Sequence, residues 1–360
     1  MKIAETLIEP SYPIKTSGEI VVGNRIAHIA GTYGKEYEMA IIKRKDFDVE
    51  GQVNLIFRIA PTRLLKSALM LLLGALSIPK ISRTLKNFEI IIINGYFTAV
   101  FLLPYLLINK KKTIYCPHTQ VKPNWINAFL MDFFDAVVFL SDYNRQELIK
   151  RNKKLAAKSY VIYNSIGDYK TKKNKKQKEN VFQCLFVGRA VEVKRPELFI
   201  DGVVEAWKRN KNIKAKMVIS SGPLKSKIKE LITETEKRYG HLIDLYSNIN
   251  KAEVERIYNG VDVFILTSTH EEGFGIVLLE AMQHGLPIIC TDHPKFREFL
   301  GDAALFFTDK ESLAERILKL AQDKELYKEY QKRSSQRFSM FSPKETCKKW
   351  AELFGKISQN

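Results

Sequence analysis

Glu272 and Glu280 flank a glycine-containing turn, Gly273-Phe274-Gly275, set between an apolar run, Val261 to Leu266, and a segment of helical pattern. That helix ends near Gly285, with Pro287 just beyond. Strand, turn and helix in this order make a βα unit whose helix N-terminus can hold an anion. Side chains on a helix lean toward its N-terminus, so Glu280 is expected to point back toward the loop that carries Glu272. Carboxylates repel phosphate, so the two acids are read as acceptors from hydroxyl groups. Groups suited to phosphate stand elsewhere. Gly188-Arg189 closes the apolar run Val181 to Val187, Lys194 follows it, and Gly18 ends the loop after the first candidate strand. Arginine, lysine, glycine amides and a helix N-terminus together suit a diphosphate, each charge-assisted hydrogen bond contributing about 1.5–3 kcal/mol. Gly-Arg at a strand end is common and a helix-borne glutamate is usually solvated; the combination is what points to a ligand with a diphosphate and many hydroxyls, a nucleotide-sugar.

The chain that must position these groups has 360 residues, enough for two full cores, and 45% of them are apolar. Its formal net charge of +18 favours anionic partners: nucleic acid, acidic lipid or phosphorylated small molecules. A nucleic-acid binder would interleave aromatic residues with its basic ones, and the lysine-rich stretch Lys170 to Asn180 has none, so nucleic acid is not expected as a partner. Cys116, Cys184, Cys290 and Cys347 are far apart and form no C-x-x-C pair, which fits a reducing, cytoplasmic setting. Met1 to Ile14 lacks a long apolar core, so no secretory signal is expected there. Ala68 to Pro79 is too short to span a bilayer.

Strands alternate with helices on both sides of the basic stretch. The run Ile90 to Ile93 reads as a strand buried on both faces, whereas Glu5 and Thr6 weaken the first strand. Ser141 is placed to cap a helix that follows it. Arg63 to Phe88 mixes many leucines with Arg63, Lys66, Lys80, Arg83 and Lys86 and has no acid. It reads either as two core helices broken at Pro79 or as a segment lying on an anionic membrane. The pattern predicts two α/β domains with parallel sheets, a first at 1–168, a linker at 169–180, a second at 181–340, and a last helix at 341–360 packing back toward the first domain. Ligands of such sheets bind outside the carboxyl ends of the strands, and two such domains facing each other leave a cleft.

Phe186-Val187-Gly188-Arg189 with Lys194, and Glu272-Gly273-Phe274-Gly275 through Glu280-Ala281-Met282, resemble glycosyltransferase family 4, the retaining glycosyltransferases of GT-B fold. The acids match its E-x7-E pattern, and Ile162-Tyr163-Asn164, Gly222-Pro223 and Gly285-Leu286-Pro287 support the likeness, which is specific over Val181 to Phe307. The resemblance implies a GT-B α/β fold of two Rossmann-like domains. It implies transfer of a hexose from a UDP- or GDP-sugar to a hydroxyl of a glycan, lipid-linked or not. Arg189 and Lys194 would hold the donor diphosphate, Glu280 the ribose hydroxyls and Glu272 the transferred sugar. The amides of Phe274, Gly275 and Ile276 would add donors, with Gly188 and Gly273 in the same loops. The nucleobase would fall near Gly222 and Ile249. His118 resembles the family's acceptor-side histidine, and Gly18 a glycine of its N-terminal loop, where Ser17 replaces a paired glycine.

Asp46-Phe47-Asp48 matches the metal-binding D-x-D of the other major glycosyltransferase fold, but Lys43 to Lys45 beside it suggest a solvated loop; neither metal nor cofactor is expected. A sugar-nucleotide epimerase of similar fold and a non-enzymatic binder of anionic ligands are the alternatives. The expected location is cytoplasmic, with peripheral contact at the inner membrane face through Arg63 to Phe88.

Overall fold

The computed structural model describes residues 1–7, 17–117, 125–167 and 181–359, with backbone alone for 7, 17–24, 50 and 54. The first run of elements is β1 (Lys2–Leu7), α1 (Ser17–Tyr33), β2 (Glu38–Lys43), α2 (Glu50–Ile59), α3 (Arg63–Leu76), α4 (Ile78–Leu85), β3 (Ile90–Asn94), α5 (Tyr96–Ile108), β4 (Lys112–Cys116), α6 (Trp125–Met131), β5 (Ala136–Phe139), α7 (Asp142–Ile149), α8 (Leu155–Lys158) and β6 (Ser159–Val161). Its strands are all parallel, in the order β2-β1-β3-β4-β5-β6. Every residue of β3 is buried, as a strand covered by helices on both faces requires.

Glu5 and Thr6 do not weaken β1. Glu5 is fully buried and ion-paired with Arg25 of α1, whose guanidinium also donates to Asn94 Oδ1 at 3.1 Å. Asn94 in turn donates to Glu5 Oε1 and to the Thr6 carbonyl, and Thr6 Oγ1 donates to the Ile92 carbonyl at 2.9 Å. Buried charge is tolerated because it is paired and hydrogen-bonded. Three further expectations change. The break between the two basic-region helices falls at Ser77, because Pro79 sits in the first turn of α4, where its missing N–H costs nothing. Gly18 stands in the first turn of α1 rather than in the loop before it. The short helix α2 was not expected.

The second run is β7 (Phe182–Gly188), α9 (Pro196–Arg209), β8 (Ile213–Ile219), α10 (Lys225–Tyr239), β9 (Ile243–Ser247), α11 (Lys251–Asn259), β10 (Val263–Leu266), α12 (Ile276–Gln283), β11 (Ile288–Thr291), α13 (Pro294–Leu300), β12 (Ala304–Phe307), α14 (Lys310–Gln322) and α15 (Lys324–Phe338). These strands are also parallel, in the order β12-β11-β10-β7-β8-β9. Lys295 to Leu300 lie in the helix α13, whose Pro294 occupies the first turn. The additional helix α15 arises because Asp323 ends α14 and accepts the amides of Glu325 and Leu326 at 3.1 and 2.9 Å, starting a new helix.

The chain divides into two units, Met1–Gly167 with Pro343–Asn360, and Asp168–Ser342. Residues 169–180, the expected linker, lie outside the described residues. The last helix, α16 (Pro343–Gln359), buries Trp350, Leu353 and Phe354 against Ile3, Ile92 and Ile114 of the first unit. The Arg25 guanidinium lies 4.6 Å from the centre of the Trp350 ring. All four cysteines are buried free thiols. Because Trp350 is 1% exposed and carries that stack, Trp350→Ala is expected to destabilise the first unit by about 3–5 kcal/mol, read as a lower urea midpoint. An unchanged midpoint would contradict the docking of α16.

Candidate active site at the carboxyl edge of the second sheet

The strand order of the second unit reverses at β7, which has β8 on one side and β10 on the other. Such a switch point opens a crevice between the loops that leave the two central strands. The loop after β7 enters it through Gly188, where a Cβ would stand 3.3 Å from the Phe186 ring and 3.5 Å from Lys194 Cδ. A single 3₁₀ turn, Glu192–Lys194, then leads into Arg195, which holds a left-handed backbone at φ 42°. A non-glycine residue keeps that conformation only when its surroundings fix it. Arg195 Nε donates to the Thr267 carbonyl at 2.7 Å and Nη2 to Thr291 Oγ1 at 2.9 Å. Thr267 Oγ1 donates back to the Lys194 carbonyl at 2.6 Å, and the Thr269 amide to the Val193 carbonyl at 2.8 Å. The β7 loop is therefore tied to the end of β10 by side chains and backbone together.

These ties bring Lys194 Nζ to 2.5 Å from Glu272 Oε2, with the two side chains 10% and 15% exposed. Ser268 Oγ donates to the same oxygen at 3.2 Å. Burial alone would raise the Glu272 carboxyl's pKa; Lys194, with help from Lys295 and Ser268, outweighs it and holds the group below the usual range. Lys295, fully buried on α13, donates its ammonium to the carbonyls of His270, at 2.7 Å, and Glu272. Burial lowers its pKa to about 8 against the raising pull of Glu272 and Glu298.

Gly275 caps α12 at φ 74°, a conformation that suits glycine, and its carbonyl accepts from the Leu278 amide at 2.8 Å. Phe274 beside it is buried against Phe299 and Phe341, with ring centres 4.7 and 5.8 Å away. It anchors the turn, so the positive end of α12, beginning at Ile276, sits just past the Glu272 loop. Glu280, in the second turn of α12, accepts from Tyr258 Oη at 3.0 Å. Tyr258 stacks on His284, whose ring nitrogens contact Asn259 Oδ1 and Glu255 Oε2, each at 2.9 Å. Burial raises the Glu280 pKa, Tyr258 works against this, and Glu255 adds to it.

Gly188, Lys194, Glu272, Gly273, Phe274, Gly275, Ile276 and Glu280 are thus carried by the loops of the two central strands and by α12. Arg189 is exposed one residue past Gly188. Gly222 belongs to the neighbouring loop after β8, where a Cβ would stand 2.1 Å from the Ala190 carbonyl oxygen; only glycine allows that approach. Ile249, half-buried after β9, is drawn to the same edge, since Lys225 Nζ donates to Asn248 Oδ1 at 3.3 Å. Gly18 lies in the first unit, and His118 lies outside the described residues. Sequence reasoning missed Arg195, Thr267, Ser268, Lys295 and Tyr258. Only Thr267-Ser268 left a signal, as polar residues ending an apolar strand. Asp46 and Asp48 serve their own turn: Asp46 accepts from the Lys43 amide at 2.7 Å, and Asp48 pairs with Lys80 at 3.5 Å. Among the described residues no group of three or more His, Cys, Asp and Glu side chains could hold a metal ion.

The raised pKa of Glu280 sets a test with a definite sign. Its native-state proton is held more tightly than in the unfolded chain, so its stabilising contribution is present at low pH and lost as pH rises through the folded value. Glu280→Gln is therefore expected to raise the melting temperature at pH 7, by about 2–4 °C for each kcal/mol recovered. The gain should shrink as pH falls through the raised pKa. A melting temperature that drops at pH 7 would contradict this electrostatic account.

The model of Glycosyltransferase Family 4 matches residues 22–167, and that of Glycosyl transferases group 1 matches residues 168–337. An uncharacterised glycosyltransferase of Methanocaldococcus jannaschii is 28% identical over 178 residues, 43% of this chain and 44% of that protein. The UDP-N-acetylglucosamine–peptide N-acetylglucosaminyltransferase GtfA subunit of Streptococcus parasanguinis is 26% identical over 176 residues, 47% of this chain and 34% of that protein. The chain thus spans less than half the length of these two curated relatives. Among solved structures, Anabaena HepE in complex with UDP and glucose superposes with a TM-score of 0.73 over 99% of this chain and 100% of its own, at 15% identity, a likeness of fold. With two adjoining family matches on two parallel six-stranded sheets, the chain belongs to the GT4-like glycosyltransferases of GT-B fold.

Proposed function

We propose that the protein transfers a hexose from a nucleoside diphosphate sugar to a hydroxyl of a glycan, with retention at the anomeric carbon. The observation that carries this reading is the Lys194–Glu272 contact at the switch point, which sets a phosphate-binding cation against a hydroxyl-binding acid beside the N-terminus of α12. UDP is the donor nucleotide favoured first, since the streptococcal relative is named for a UDP-sugar and HepE was crystallised with UDP and glucose.

In this reading Lys194, Arg189 and the α12 N-terminus stabilise the diphosphate as it leaves. Glu280 accepts from the ribose hydroxyls and Glu272 from the sugar, with the nucleobase near Gly222 and Ile249. The acceptor hydroxyl attacks from the face that the diphosphate vacates. The bond from the anomeric carbon to the phosphate oxygen breaks, the bond to the acceptor oxygen forms, and the acceptor's proton passes to the departing phosphate. Glu272 positions the sugar rather than attacking it. His118 serves the acceptor side, Gly18 at the start of α1 adds to the donor side, and no resident metal takes part.

Purified protein incubated with a panel of UDP- and GDP-sugars, glycan acceptors and EDTA is expected to release the nucleoside diphosphate and form a retained glycoside. Lys194→Ala and Arg189→Ala should each lower kcat by about 10²–10³-fold. Glu280→Ala should raise KM for the donor. Transfer unchanged in both Lys194→Ala and Glu280→Ala would overturn the assignment, and an epimerised donor with no glycoside formed would replace it with an epimerase.

A further inference from the structure

We infer that the first unit docks on an anionic lipid surface through a face built from α3 and α6, with the bases of α4 beside it. This surface is separate from the proposed catalytic reading, and its test needs no turnover. Helix α3 buries Ser67, Met70 and Gly74, the stripe that meets α5. At Gly74 a Cβ would stand 1.9 Å from the Phe101 carbonyl oxygen, so the two helix backbones are in close contact and α3 cannot roll about its axis. Its opposite side, with Leu65, Leu72 and Leu76, is thereby fixed outward and is apolar, and Leu64 and Leu71 extend it along the flank; all five are exposed, Leu64 by 80%. A helix apolar on its core side and on its solvent side has something to cover the second.

The apolar face continues onto α6. Arg63, the first residue of α3, donates to Asn127 Oδ1 of α6 at 3.3 Å, joining the start of one helix to the other. Beside Asn127 stand Trp125, 75% exposed, and Phe129, which meets Phe133 edge-on at 5.2 Å. The Trp125 indole, a large ring with one polar N–H, is what the boundary between lipid and water accommodates, and the phenylalanines beside it add apolar area.

Charge selects the occupant. From Gly51 to Phe88 the chain carries Arg58, Arg63, Lys66, Lys80, Arg83 and Lys86 and no acidic residue; of these, Lys80 is paired with Asp48 just before the segment. A second copy of a chain with net charge +18 would bring the same bases face to face. An anionic headgroup layer meets both the bases and the leucines. Spanning is not the geometry. The 14 residues of α3 reach about 21 Å, short of the roughly 30 Å hydrocarbon core, and α4 turns away from it by 68°. The helix lies along the surface.

Co-sedimentation of the full chain with phosphatidylcholine vesicles, with and without phosphatidylglycerol, tests the assignment. The wild type should pellet with the anionic vesicles. Leu72→Glu/Leu76→Glu, and separately Trp125→Ala, should each cut partitioning, the double variant by about tenfold or more. Both target exposed side chains, so circular dichroism and UDP binding by the second unit should stay as in the wild type. A wild type that remains in the supernatant, or glutamates that leave partitioning unchanged, would overturn it. So would a wild-type dimer that fails to bind vesicles and is split by the glutamates, which would make the face a contact between copies of the chain.

Discussion

The contact on which the second unit's site depends is the ion pair of Lys194 and Glu272. It lies where the strand order reverses, so the loops of β7 and β10 diverge from neighbouring strands and must be drawn back together. Attraction in a partly desolvated crevice supplies part of this. The rest comes from the left-handed Arg195 and its bonds to Thr267 and Thr291, which hold the backbone under Lys194. Lys295 steadies the far side of the Glu272 loop through two carbonyls. The pair is therefore held by a second layer of cations that touch backbone, leaving the Glu272 carboxylate itself to Lys194 and Ser268. Breaking a buried pair of this kind leaves an uncompensated charge, a costlier change than the loss of an exposed one.

The switch point of the first unit has been put to a different use. There Glu5 and Asn94, at the ends of β1 and β3, are met by Arg25, and Trp350 of the last helix lies against its guanidinium. The chain's own side chains occupy that position, and the C-terminal helix becomes part of the first unit's core. Two parallel six-stranded sheets, ordered 2-1-3-4-5-6 and 3-2-1-4-5-6 when strands are counted within each unit, thus carry one switch point met by a buried arginine and one lined by loops that end in glycine.

Much of this was legible in the sequence, for physical reasons that differ by residue. The isoleucine run of β3 and the turn Gly273-Phe274-Gly275 show themselves through period and through glycine, which are local properties. Gly188, Gly222 and Gly275 each stand where a Cβ is crowded or the backbone is left-handed, so their identity was a direct report of geometry. Lys295 and Arg195 were not legible, because a lysine in the first turn of a helix and an arginine before a proline look like solvated surface until the fold brings a carbonyl to them. Glu5 misled for the same reason: its partner, Arg25, is distant in sequence. The break between α3 and α4 was displaced because proline ends a helix only from its interior, and Pro79 lies in a first turn.

The central claim is a division of labour, with Lys194 for phosphate and Glu272 for the sugar. Calorimetric titration of UDP into Glu272→Gln, set beside the rate of glycosyl transfer by the same variant, tests it most directly. Removing the carboxylate frees Lys194 and lifts a repulsion from the diphosphate, so UDP should bind at least as tightly as to the wild type while transfer falls steeply. Loss of UDP affinity in step with loss of transfer would contradict it, and would place Glu272 in the support of the nucleotide instead.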